Sequence, residues 1–256
     1  MKVKEKHICA YCNKEYEASK PFSHIIPKQF FRRFKRVMNN KAAYSTYYQR
    51  ITQSEPVEFL LCYDCEQVFC KWENEFAKKI TNKLYSECLP ESLNLNLNVK
   101  LAALSVLWRI LHCWVVSNRS KQGSLSNKDI TRLSEFEQKW LEILREQRDF
   151  SREEGNIFII PLDCVFSSNS AIDDCKRYPG ILANVVYYDQ GEDMGYYCIR
   201  CFVHKLIVFA YLTPAFSVPR EFSIHNESID LIISLMPVPI EDIFADYLED
   251  SKKIRI

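Results

Sequence analysis

Two Cys-x-x-Cys pairs stand near the N-terminus: Cys9 with Cys12 in "CAYC", and Cys62 with Cys65 in "CYDC". A CxxC lets two thiolates reach one ion from a tight turn, and two such pairs supply the four sulfur ligands of a tetrahedral Zn²⁺ site. The alternative is a set of buried free thiols, a common use of cysteine. Two matched pairs in one short region favour zinc. A third pair, Cys198 and Cys201 in "YYCIRCFVHKL", is followed by His204. That stretch reads as a strand, where side chains three apart face opposite ways, so a second metal there is not expected. Cys70, Cys88, Cys113, Cys164 and Cys175 read as core thiols.

Between the first two pairs lies "SHIIPK", whose His24 is one of five histidines in the chain. A histidine beside a zinc-pinned loop can serve as a general base or simply pack against the loop. Just beyond it Lys28, Arg32, Arg33, Lys35 and Arg36 alternate with Phe30, Phe31 and Phe34. On a helix the rings could pack inward while the cations track phosphates; an amphipathic surface helix is the alternative. After the second pair, "EQVFCKWENEFAKKI" has helical spacing. Phe69, Trp72 and Phe76 share one stripe, and Glu66, Cys70 and Glu73 share its neighbour. Glu66 and Glu73 are hard oxygen ligands suited to a divalent cation, or else part of a solvated face.

Together, "ICAYC…SHIIPK…LLCYDCEQVFCKWE" resembles the HNH, or ββα-metal, nucleases, in the zinc-stapled branch with a His-Ile-x-Pro strand. The resemblance spans roughly residues 7–80. It implies a structural zinc on Cys9, Cys12, Cys62 and Cys65, and His24 as the general base that activates water against a DNA phosphodiester. It also implies Mg²⁺ or another divalent cation at the cleavage site. Three positions depart from the family. Ser23 stands where a carboxylate usually precedes the histidine, and Glu66 where His or Asn usually follows the second CxxC. The expected asparagine before "LLC" is missing. Such proteins often act as effectors in bacterial antiviral defence. The alternative function is a non-catalytic zinc-stapled module that binds nucleic acid or protein and has lost its catalytic metal ligands. A thiol redox role fits poorly, since neither pair has a thioredoxin-like βαβ setting.

These residues need elements to hold them. The run "LAALSVLWRILHCWVV" reads as a buried helix over roughly 96–117, with Arg109 expected to pair with a buried carboxylate. It falls short of the uninterrupted apolar span a bilayer needs, so no membrane partner is expected. A polar loop follows, and Ser126 or Asn127 caps a third helix through "KDITRLSEFEQKWLEILREQR". Beyond Asp149, "NIFIIPLDCVF", "ILANVVYYD", "YYCIRCFVHKLIVFAYL" and "DLIISLMPV" are rich in β-branched and aromatic residues between turn formers.

The expected architecture is α+β. An HNH-like module occupies 1–85, a helical segment 86–150 and a β-rich region 151–256. The last would sense a trigger, bind a protein partner or form a homo-oligomer. At 256 residues, 47% of them apolar and 26% charged, the composition is that of a globular chain. The net charge of +1 means that any nucleic-acid contact must come from a local patch. The polar start "MKVKEKHICAYC" has no apolar segment of signal-peptide type. With an odd 11 cysteines, a cytoplasmic setting and metal ligation are expected over a disulfide framework.

Overall fold

In the computed structural model, residues 4–30, 43–45, 50–52, 56–84, 86, 91–120, 127–161, 165–166, 181–188, 196–203, 206–212, 223–230 and 234–235 are described. The chain opens with a hairpin, β1 (Glu5–Ile8) and β2 (Glu15–Ala18), whose turn carries the first CxxC. Asn13 closes that turn at φ 59°, in the left-handed region that asparagine tolerates better than most residues. The two-residue strand β3 (Ser23–His24) comes next. The chain then visits β4 (Ala43–Ser45) and β5 (Arg50–Thr52) before returning to β6 (Val57–Glu58). β3 and β6 pair antiparallel, with Ser23 opposite Glu58 and His24 opposite Val57.

Helix α1 (Tyr63–Phe76) starts at the second CxxC and runs through one π-helical stretch, Ala77–Thr81, into Asn82–Leu84. Its apolar stripe is buried as the spacing predicts: Phe69, Trp72 and Phe76 all lie inside. After the short β7 (Ser92–Asn94), helix α2 (Leu97–Ser120) begins under a side-chain cap, with Asn96 Oδ1 accepting the Val99 N–H at 3.1 Å. α2 is the axis of the molecule. Every residue from Leu101 to Leu111 is buried, and the helix packs against α1, the third helix and the sheet. By length and composition Leu97–Val116 could cross a membrane, but 78% of its most apolar 18-residue stretch is buried inside the protein, so packing accounts for its apolarity. The helix matches the one expected over roughly 96–117 and runs on to Ser120.

Helix α3 (Asn127–Glu146) lies on α2 through Leu133, Trp140, Leu141 and Leu144. Gln147 ends it at φ 52°. A buried polar link joins the two helices: Glu137 Oε1 accepts from Trp108 Nε1 at 2.9 Å and lies 3.0 Å from His112 Nδ1. Burial works to raise the Glu137 pKa, but the His112, Trp108 and Gln138 contacts outweigh it and hold the carboxyl low.

The remaining strands are β8 (Asn156–Pro161), β9 (Val165–Phe166), β10 (Ile181–Tyr188), β11 (Tyr196–Val203), β12 (Leu206–Tyr211), β13 (Ser228–Asp230) and β14 (Ser234–Leu235). A six-stranded sheet has the order β5-β4-β10-β11-β12-β8. All its pairings are antiparallel except that of β10 with β4, which is parallel at Ile181 opposite Ser45. The run 196–212, continuous in composition, folds as two strands of this sheet, with Cys201 opposite Val208. Cys198 and Cys201 are both buried, and burial pushes the Cys198 thiol up to about 12. His204 lies outside the described residues.

The fold is α+β, yet the expected divisions near 85 and 150 do not separate its cores. One contiguous buried cluster runs from Cys9 to Ile224. Strands from 43–52 complete the sheet of the C-terminal third, and β7 pairs with β13. Apolar faces on the three long helices among the described residues and on the sheet are each too large to leave in water, and they share α2 as the common partner.

Candidate functional site

The four thiols converge. Cys9 and Cys12 sit on the first hairpin turn, Cys62 at the N-terminus of α1, and Cys65 in its first turn. All four sulfurs lie within 4.8 Å of one another. A tetrahedron with Zn–S bonds of about 2.3 Å has edges of about 3.8 Å, and the Cys12 and Cys62 sulfurs are 3.8 Å apart. The cysteines are free, and this separation is far beyond a disulfide bond. The residues present therefore fit a tetrahedral metal ion such as zinc. Burial raises the thiol pKa of Cys9 and, further, of Cys65, whose neighbouring thiols add to the effect. At Cys12 burial is outweighed by hydrogen bonding to the Lys14 backbone and the adjacent thiols, and its pKa is lowered. A cation at the centre would favour all four thiolates, and the positive end of α1 adds to that at Cys62 and Cys65.

The turn is tied down on two sides. Cys9 N–H donates to Lys14 O at 2.9 Å, and Ala10 N–H to Leu60 O at 2.9 Å. Tyr11 Oη donates to Leu144 O at 2.9 Å, and Arg145 Nε donates to Tyr11 O, so the knuckle docks on the C-terminal end of α3.

Ser23 and His24 alternate across β3. Ser23 is fully buried. Its Oγ accepts the Leu61 N–H at 2.9 Å and lies 3.4 Å from the Leu61 carbonyl. The position where the resembling family carries a metal-binding carboxylate is thus used to bind the strand to the second cysteine loop. His24 is half-buried, and its main-chain carbonyl accepts from Arg109 Nη1 at 2.7 Å. Ile25 N–H donates to Pro56 O at 3.0 Å and continues the pairing with β6.

Glu66 and Glu73 do share a face of α1, but that face is not solvated. Glu73 is buried, and its Oε1 lies 2.8 Å from Arg109 Nη2. Glu66 Oε2 is 3.9 Å from the same nitrogen, with its side chain 18% exposed. The N–H groups of Arg109 Nη2 do not line up on either carboxylate, so charge rather than a directed hydrogen bond holds the pair. Burial raises the Glu73 pKa, helped by Glu66, against the opposing charge of Arg109. Among the described residues, the four cysteines are the one group of acid, histidine or cysteine side chains close enough to surround an ion. Glu73, assigned from sequence to a divalent cation or to solvent, faces a guanidinium. Glu66 Oε1 is buried and accepts no hydrogen bond from the described residues.

Of the cationic cluster, Lys28 is exposed where a helical turn starts. Arg32, Arg33, Lys35 and Arg36 lie outside the described residues. Arg109 is the component that sequence reading under-used. An arginine inside an apolar helix signalled a buried carboxylate, as found, but gave no sign of its second bond to His24. Compared with protein-family models, curated proteins and solved structures, the chain finds no match.

Proposed function

We propose that the protein is a metal-dependent endonuclease of HNH type that hydrolyses phosphodiester bonds in DNA, acting as an effector in antiviral defence. The observation that carries this reading is the order of the site. The antiparallel pair β3–β6 leads directly into α1, the thiol cluster staples hairpin turn to helix, and His24 stands on the pair with its carbonyl bound by the arginine that faces two glutamates of that helix. A strand pair running into a helix supports reading this region as the two-strand-and-helix module that the sequence resemblance implies. The thiol cluster would hold zinc in a structural role, since four protein ligands leave no open position.

In this reading His24 takes the proton of a water that attacks phosphorus, while the leaving oxygen departs on the opposite side. A divalent cation, when bound, neutralises charge building on the phosphate. Glu66 would hold it together with substrate oxygens, as Mg²⁺ sites with few protein ligands do. Lys28, Arg32, Arg33, Lys35 and Arg36 would meet the nucleic-acid backbone. The C-terminal sheet would sense a trigger or meet a protein partner or a second copy.

Ser23 favours a second reading, a zinc-stapled binding module without catalysis, because the usual ligand carboxylate is absent and its place is used structurally. Incubating the protein with supercoiled plasmid and Mg²⁺, Mn²⁺ or Ni²⁺ separates the two. Nicking that His24→Ala abolishes supports the nuclease. DNA retention without nicking in any metal moves the conclusion to the binding module.

A further inference from the structure

Arg109 comes from a helix outside the segment that resembles a nuclease, yet it contacts that segment on every side. It is 0% exposed. Glu66, Phe69 and Glu73 are spaced three and four apart on α1 and form one face. The guanidinium lies over the Phe69 ring, 4.8 Å from Cζ to the centroid, with Nη2 against the two carboxylates. A buried ion pair needs only a carboxylate opposite the guanidinium. Here the other arm, Nη1, instead donates to the main-chain carbonyl of His24 at 2.7 Å. The planar fork spans strand and helix at once, which one ammonium on a flexible stem cannot do.

We propose that Arg109 is the positioning residue of the candidate site, clamping the main chain of His24 to the carboxylate face of α1. This rests on the nuclease reading of His24. Without the clamp, β3 keeps its short pairing with β6 and the Ile25–Pro56 and Ser23–Leu61 bonds but loses the tie from the His24 main chain to α1, so the imidazole would sample positions away from the attacking water. Small displacements of a reacting group can cost about a hundredfold in rate.

The test separates clamp from core. Arg109→Met alone would strand a buried carboxylate, so Arg109→Met with Glu73→Met is the main variant, because replacing both members of a buried pair is commonly tolerated. Arg109→Lys is the second variant, keeping charge but not the fork. On plasmid DNA with Mn²⁺, the double variant should retain metal content and the wild-type KM while kcat falls about tenfold to a hundredfold. Arg109→Lys should recover part of that loss. Wild-type kcat in either folded variant overturns the proposal. A second readout needs no activity. Hydrogen exchange of the Ile25 amide, followed on the peptide covering 22–30, should speed up in the double variant while 101–107 stays protected. If the wild type cleaves nothing with any metal, the nuclease reading fails by itself, and unchanged exchange at 22–30 then removes the clamp as well.

Discussion

The hydroxyl of Ser23 and the main chain of Leu61 hold one another: Oγ accepts the Leu61 N–H at 2.9 Å and faces its carbonyl at 3.4 Å, with Ser23 wholly buried. One side chain thereby fixes the strand bearing His24 to the loop bearing Cys62. Ser23→Ala should cost about 1–3 kcal/mol in denaturant unfolding, since it leaves a buried N–H unsatisfied. Ser23→Asp restores the carboxylate of the resembling family but buries a charge against a carbonyl. It should lower stability and metal content further, and gain no activity. A stable, more active Ser23→Asp protein would mean that Ser23 faces the cation site instead.

Metal analysis of the purified protein should give about one zinc per chain. Cys9→Ser or Cys62→Ser should lose the metal and most of the folded protein together, because ligation supplies folding free energy. Cobalt loaded in place of zinc should show the charge-transfer bands of a tetrahedral thiolate site. A well-folded, metal-free preparation would contradict this assignment.

His24→Ala should reduce cleavage by about 10²–10⁴ with metal content, folding and DNA retention unchanged, as for a lost general base. Glu66→Gln should instead raise the Mg²⁺ or Mn²⁺ concentration giving half-maximal rate, because it removes charge from a metal ligand. An identical metal titration in Glu66→Gln would remove it from the cation site.

Arg32→Ala with Arg33→Ala should weaken DNA binding equally across sequences and flatten its dependence on salt, since phosphate contacts release counterions without reading bases. Titrations at several salt concentrations measure the slope directly, and an unchanged slope would point these arginines elsewhere.

His225 gives a pH dependence. Its Nε2 lies 2.8 Å from Gly155 O and its Nδ1 3.1 Å from Phe150 O, joining the turn after α3 to the segment before β13. Burial lowers its pKa below the usual value of 6.5, despite the two carbonyls that favour the charged ring. The unfolded chain therefore takes up a proton first. The contribution of His225 is present above pH 6.5 and is lost as pH falls toward the lowered folded value. Chemical denaturation between about pH 5 and 7 should show stability falling with acid, and His225→Gln should flatten that fall.

The sequence was most legible where spacing alone carries the information. The CxxC pairs, the Phe69–Trp72–Phe76 stripe and the buried helix around Leu104 all follow from local periodicity. Local pattern does not record partners distant along the chain. Nothing near Arg109 announces His24, and nothing near Ser45 announces Ile181. Glu73 read as a cation ligand or as part of a solvated face, whereas an arginine on another helix faces its carboxylate.

The position of α2 also bears on how the molecule is made. A ribosome builds the cysteine knuckle, His24 and α1 first, but β8, β10, β11 and β12, which cover one side of α2, lie between residues 156 and 211. Until they emerge, a face of the central helix stays bare. Domains generally fold as units during synthesis, and this chain joins its parts in one core. The candidate site therefore shares its core with strands that are made last, and its packing is complete only when the last third of the polypeptide has been delivered.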